Sequence, residues 1–211
     1  MTTFASLVAD VYTTTNRPDL VAETALAVRK ATLKLHTTGI DLETGTPKVV
    51  FYWPDRSEAI VTPTVVDLAN NYYSFDTQAA PFSRFRALQY VRQYTPADTD
   101  LFFDPIDFDN LLDSYRIEKT NVFYLIGQLA QIRANFTVTQ VRVGYYRYPV
   151  AIESGYSSWI ADQLPDMVVE EAAATIFKMI GKDDEFQKYA ALTKENMAAL
   201  EGQFTTQTVR T

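Results

Sequence analysis

The chain has 211 residues, of which 47% are apolar and 21% charged, a length and composition that suit one ordered domain, or one domain with a large insertion. Its formal net charge of −7 argues against a surface built to grip phosphates. The absence of cysteine excludes disulfides, thiolate metal sites and Cys nucleophiles, while a single histidine, His36, leaves no His-based metal cluster and, on this reading, no Ser-His arrangement within one chain.

In chain order, Thr3 is placed to cap a short helix from Phe4 to about Tyr12, which the TTTNR run interrupts. A second helix is expected from Pro18 to the stop at Gly39, with Leu20, Thr24, Ala27, Ala31 and Leu35 at helical spacing. Arg29, Lys30, Lys34 and His36 fall in its second half, where positive charge suits the helix dipole.

From Asp41 the texture becomes β-branched and aromatic. Lys48–Tyr52 and Ile60–Val66 read as strands around a turn at Pro54 and Asp55, and a second turn falls at Asn70 and Asn71. The run FSRFRALQYVRQY reads as a strand, and Pro96–Phe103 as a connection to a short helix near Phe108–Tyr115. Asp104, Asp107, Asp109 and Asp113 raise a Ca²⁺ hypothesis, but the alternate-position ligands, Gly and distal Glu of an EF-hand loop are missing, and capping by Asp107 plus solvation explains them better. Asn121–Ile126, Gln128–Ala134 and Gln140–Tyr148 alternate as three strands expected to pair as a meander. The strip formed by Arg142, Tyr145, Tyr146, Arg147 and Tyr148 is read as strand packing and interface rim rather than base stacking.

The most complete start and stop signals lie between Ser157 and Phe204. Pro165 suits a first helical position, Asp166, Glu170 and Glu171 the first turns, and Gly181 the stop. Val169, Ala173, Ile176, Phe177 and Ile180 share one stripe, and Phe186 and Tyr189 begin the stripe of a second helix capped by Asp183 or Asp184. The pair is expected to form an antiparallel hairpin whose stripe is buried in the core or against another subunit. The order of helices, strands and helices predicts an α+β chain: a helical bundle made by the N-terminal helices and C-terminal hairpin, with an inserted antiparallel β region. The expected boundaries are 1–44 and 150–202 for the helical core, 45–149 for the β-rich insertion and 203–211 for a polar tail.

The segments NRPDLVAETALAVRKATLKLH, LLDSYRIEKTNVFYLIG, QIRA, RVGYYRYP, SSWIADQLPD and EEAAATIFKMIGKDDEFQKY, following a short helix, resemble the head–tail adaptor (connector) proteins of tailed bacteriophages. The resemblance spans nearly the whole chain and rests on packing patterns rather than chemical motifs. It implies a structural virion protein made in the host cytoplasm, without enzymatic activity or cofactor and without a membrane partner. The implied assembly is a homo-oligomeric ring, usually dodecameric, beneath the portal protein; it extends the DNA channel without sequence-specific binding and offers a platform to a tail or nozzle protein. It also implies a portal-docking C-terminal segment, matched here by Phe204, Thr205, Thr206, Gln207, Thr208, Val209, Arg210 and Thr211. Glu195 and Glu201 on the last helix are candidates to face the channel. Another neck or tail component, such as a stopper or tail-tube protein, is the alternative, and a hydrolase using two of Asp104, Asp107, Asp109, Asp113, Glu118 and Glu153 is a remote one.

Overall fold

A computed structural model describes residues 2–41, 44, 46–95, 101–112 and 118–204. The chain divides into two compact units, Met1–Asp55 with Tyr148–Thr211, and Arg56–Arg147.

In the first, helical unit, α1 (Phe4–Thr15) starts at a reciprocal capping box: Ser6 N–H donates to Thr3 Oγ1 and Thr3 N–H to Ser6 Oγ. The threonines expected to interrupt α1 extend it instead. Thr13, Thr14 and Thr15 hydroxyls bond carbonyls four residues back, and the break comes at Asn16, whose φ of 52° is left-handed. Helix α2 (Val21–Thr37) does not stop at Gly39. It runs directly into β1 (Thr38–Ile40), which pairs antiparallel with β2 (Pro47–Val49), and a 3₁₀ turn at Trp53–Asp55 follows. Gly39 is needed for space rather than for helix termination: a Cβ there would collide with the Glu201 carboxylate and Val50.

The unit is completed by α3 (Trp159–Gln163), α4 (Pro165–Met179) and α5 (Asp183–Phe204). Helix α4 packs on α1, α2, α3 and α5, and Ala172, Ala173 and Ala174 let its neighbours approach closely. Val28, Leu35, Val168, Ile176, Met197 and Leu200 share one core with Leu7 and Val11. Gly181, at φ 72°, ends α4, and Lys182 N–H returns to the Phe177 carbonyl. Helices α4 and α5 are antiparallel: Asn196 donates to Glu170, while nearer the turn Phe177 stacks on Tyr189 at 5.4 Å.

The second, sheet unit holds β3 (Arg56–Val61), β4 (Thr64–Asp67), β5 (Tyr72–Asp76), β6 (Phe85–Gln93), β7 (Phe102–Pro105), β8 (Val122–Ile126), β9 (Leu129–Arg133) and β10 (Val141–Arg147). They form one sheet in the order β3-β10-β6-β7-β8-β9-β5-β4. Its edge strands β3 and β4 are consecutive and joined only by Thr62 and Pro63, so the sheet curls into a half barrel. The concave side carries Tyr73, Phe75, Val91, Phe103, Ile132, Val143 and Tyr145.

The expected class, a helical bundle with an inserted antiparallel β region, is corrected by this sheet. Five helices share the described residues with ten strands, eight of them in one curled sheet, so the chain is β-rich. The sheet is also mixed, because β7 and β8 run parallel through Asp104↔Val122 and Pro105↔Phe123. Nor do the last three strands form a meander: β8 and β9 pair, but β10 lies between β3 and β6. Alternation along a strand marks its inner face but does not name its neighbour.

Candidate functional site

The hairpin stripe divides according to its distance from the turn. Val169, Ala173, Ile176 and Phe177 are buried within the helical unit and serve its own core, whereas Ile180, Phe186 and Tyr189 are half-exposed near the turn. Two lysines lie over the exposed rings, Lys178 5.3 Å from the Phe186 centroid and Lys188 5.4 Å from that of Tyr189. Deeper in the hairpin, burial pushes the Glu170 carboxyl above its ordinary range, the Asn196 amide opposes the shift and Asp166 adds to it.

A cleft of about 520 Å³ opens between α2, α4, α5 and the β1–β2 ribbon. Its floor includes Ile40, Ala174 and Met197, and its rim carries Lys34, Lys178 and Lys194 with Glu171, which pairs with Lys34 at 2.6 Å. Such a cleft suits an apolar side chain next to an acidic group.

Sequence reasoning missed the polar cluster around the single histidine. His36 Nδ1 is 2.9 Å from both Asp55 oxygens, and its Nε2 is 2.9 Å from Ser158 Oγ. Trp159 Nε1–H donates to Asp55 at 3.0 Å, and its ring meets the imidazole edge-on. With Asp55 accepting from Nδ1–H, Nε2 accepts from the Ser158 hydroxyl. The expectation that one histidine builds no Ser-His arrangement is therefore overturned, since a Ser-His-Asp array is present. It is closed to solvent: His36, Asp55 and Ser158 are 1%, 6% and 4% exposed. Ser158 Oγ also accepts Ala161 N–H as the N-cap of α3. The array fastens the end of α2, the 3₁₀ turn and the start of α3 to one another. No spacing rule links residues 36, 55 and 158, so the only sequence signal was Ser158 standing before an apolar helical run.

The remaining candidates are scattered. Asp104, Asp107 and Asp109 are exposed, Asp107 makes no side-chain cap bond, and Asp113 lies outside the described residues. Glu118 pairs with Arg133, and Glu153 with Arg29. Among the described residues no group of His, Cys, Asp and Glu could hold a metal ion. Glu195 is exposed, but Glu201 is 1% exposed and pairs with Lys48 at 3.0 Å, which corrects its candidacy to face a channel. Of the strip residues, Tyr145 and Tyr146 are buried and Tyr148 is exposed. In the tail, Phe204 is the last residue of α5, and Thr205, Thr206, Gln207, Thr208, Val209, Arg210 and Thr211 lie outside the described residues. No helix among the described residues is long and apolar enough to cross a membrane. No protein family matches the chain, and no curated protein matches it.

Proposed function

We propose that the chain is a structural subunit of a tailed-phage neck, a head–tail adaptor that forms a homo-oligomeric ring under the portal protein and presents a platform to a tail or nozzle protein. The observation that carries the reading is the large apolar side chain that the helical unit leaves in water. Leu26 and Leu33 stand two turns apart on one side of α2, Val49 and Trp53 are 71% and 63% exposed, and Met179 and Leu192 are exposed on the hairpin. A ring subunit buries such groups against its neighbours, each Å² of apolar surface contributing roughly 25 cal/mol before ordering costs. The resemblance of the helical segments to adaptors supports the same reading, and the closed Ser158–His36–Asp55 array fits a structural rather than a catalytic use of polar groups.

The curled eight-stranded sheet favours a second reading, a stopper or tail-tube component, because those proteins are mostly β. Viral DNA passes through the ring without sequence-specific contacts in either case. The distinguishing experiment is co-purification from virions after gentle disruption. An adaptor remains with the portal when the tail is removed, whereas a tail component leaves with the tail; absence from virions contradicts both.

A further inference from the structure

Two surface features of the chain match in size and in charge. The first is the cleft of about 520 Å³ in the helical unit, with Ile40, Ala174 and Met197 in its floor and Phe186 in its wall. Among the described residues that line it, Lys34 pairs with Glu171, while Lys178 and Lys194 bring further positive charge to the rim. Lys178 lies over the Phe186 ring, 5.3 Å from its centroid, a contact that places the ammonium at the rim without neutralising it. A cleft of this make-up takes an apolar side chain flanked by carboxylates.

The second feature is such a group, carried by the sheet unit. Pro105, which has no N–H to donate, closes β7, and a 3₁₀ turn at Phe108–Asn110 follows. Asn110 N–H bonds the Asp107 carbonyl and Leu111 N–H the Phe108 carbonyl, which fastens the turn. Phe108 stays 55% exposed, its ring 5.8 Å from that of Tyr124, between the exposed Asp107 and Asp109. Neither carboxylate has a hydrogen bond or ion pair among the described residues. In two other exposed apolar and acidic pairs the acid is already engaged. Asp67, beside Leu68, accepts from Ala69 and Asn70, and Glu153, beside Ile152, pairs with Arg29.

We propose that Phe108 of one copy of the chain enters the α2–α4–α5 cleft of a second copy, where Asp107 and Asp109 meet Lys178 and Lys194. An aromatic anchor in an apolar pocket with a charged rim is the usual make-up of an interface centre. The two patches differ, so the contact is heterologous; each copy keeps one patch for a further neighbour, and a rotation that closes gives a ring. A net charge of −7 makes copies repel at long range, so a lasting contact between them needs local opposite charges such as these. A second cleft, of about 410 Å³ between α1 and α2, suits the turn less well, because its described lining holds Glu153 and no lysine. The inference rests on the homo-oligomer of the proposed function and not on the portal protein.

Because the chain has no cysteine, disulfide trapping reads the contact directly. Asn110→Cys marks the turn and Thr175→Cys the cleft, and neither removes a charge. Mixed under a mild oxidant, the two full-length variants form the mixed dimer about tenfold faster than either forms a dimer with itself. Adding Phe108→Ala to the first, or Lys178→Glu with Lys194→Glu to the second, slows trapping roughly tenfold. Asp107→Lys with Asp109→Lys in the first restores it against the reversed cleft. A mixed dimer no faster than the self-dimers, trapping unchanged by Phe108→Ala, or no rescue by the reversed charges each overturns the proposal. Fastest self-trapping by Thr175→Cys puts an isologous contact at the cleft and overturns it too. The portal protein is absent from these mixtures, so their failure leaves co-sedimentation with the portal as a separate reading of the adaptor role.

Discussion

Ser158 Oγ lies 2.9 Å from His36 Nε2 although 122 residues separate the two in the chain. The contact joins α2 to the N-cap of α3 and, through Nδ1, to Asp55 on the 3₁₀ turn. One imidazole therefore holds three segments that the sequence places far apart.

Replacing that ring is expected to be costly. His36→Ala leaves the Asp55 carboxylate and the Ser158 hydroxyl buried with fewer partners, a loss of about 3 kcal/mol on the scale of broken buried polar pairs. Urea denaturation measures it. Ser158→Ala removes the cap and one ring contact and costs about 1–2 kcal/mol. Because the array is closed, the native chain stays unlabelled by a fluorophosphonate probe, and stoichiometric labelling at Ser158 would show that the hydroxyl is accessible and activated.

The pair formed by Lys48 and Glu201 has an asymmetric prediction. Glu201 is buried and Lys48 is not, so Lys48→Ala removes an ion-pair partner from a buried carboxylate and costs about 1–3 kcal/mol. Adding Glu201→Gln to Lys48→Ala restores part of the loss, and a double-mutant cycle reads the coupling. Gly39→Ala, which pushes into the same carboxylate, lowers stability by about 1–3 kcal/mol.

Glu170 gives a pH signature of defined sign. Its folded-state carboxyl holds its proton to higher pH than in the unfolded chain, because burial outweighs the Asn196 bond. As pH rises from the unfolded value to the folded one, the folded state binds more protons, so this group lowers stability across that window and not below it. Glu170→Gln is therefore more stable than the parent at neutral pH, with the difference shrinking in acid; equal melting temperatures at both pH values would contradict the assignment.

Truncation after Phe204 separates folding from docking. If the chain is an adaptor whose tail docks on the portal protein, removing Thr205–Thr211 leaves α5 complete, so the melting temperature stays nearly unchanged while binding to the portal protein is lost. Retained binding would move the docking surface elsewhere.

Local signals were read best where one residue decides one feature. Thr3 caps α1, Gly181 ends α4, Pro165 opens it, and the Val169–Phe177 stripe is buried. Gly39 misled because its small size serves a tertiary contact with Glu201, which spacing does not reveal. The Thr13–Thr15 run misled because its hydroxyls bond carbonyls one turn back within the helix rather than the backbone of a competing turn, and the chain leaves the helix only at Asn16. Strand partners were the least legible. Alternation identified Val141–Arg147 as a strand, but its place between β3 and β6 depends on how the sheet curls. The same limit hid the His36 array, whose members share no sequence spacing.

The central claim is that this chain joins a neck ring through the portal protein. Sedimentation velocity of the purified chain, alone and mixed with the portal protein of the same phage, tests it most directly. The account predicts that the chain moves with the portal in the mixture, as a ring ordered on that template. A free chain sedimenting beside an unchanged portal boundary would contradict it.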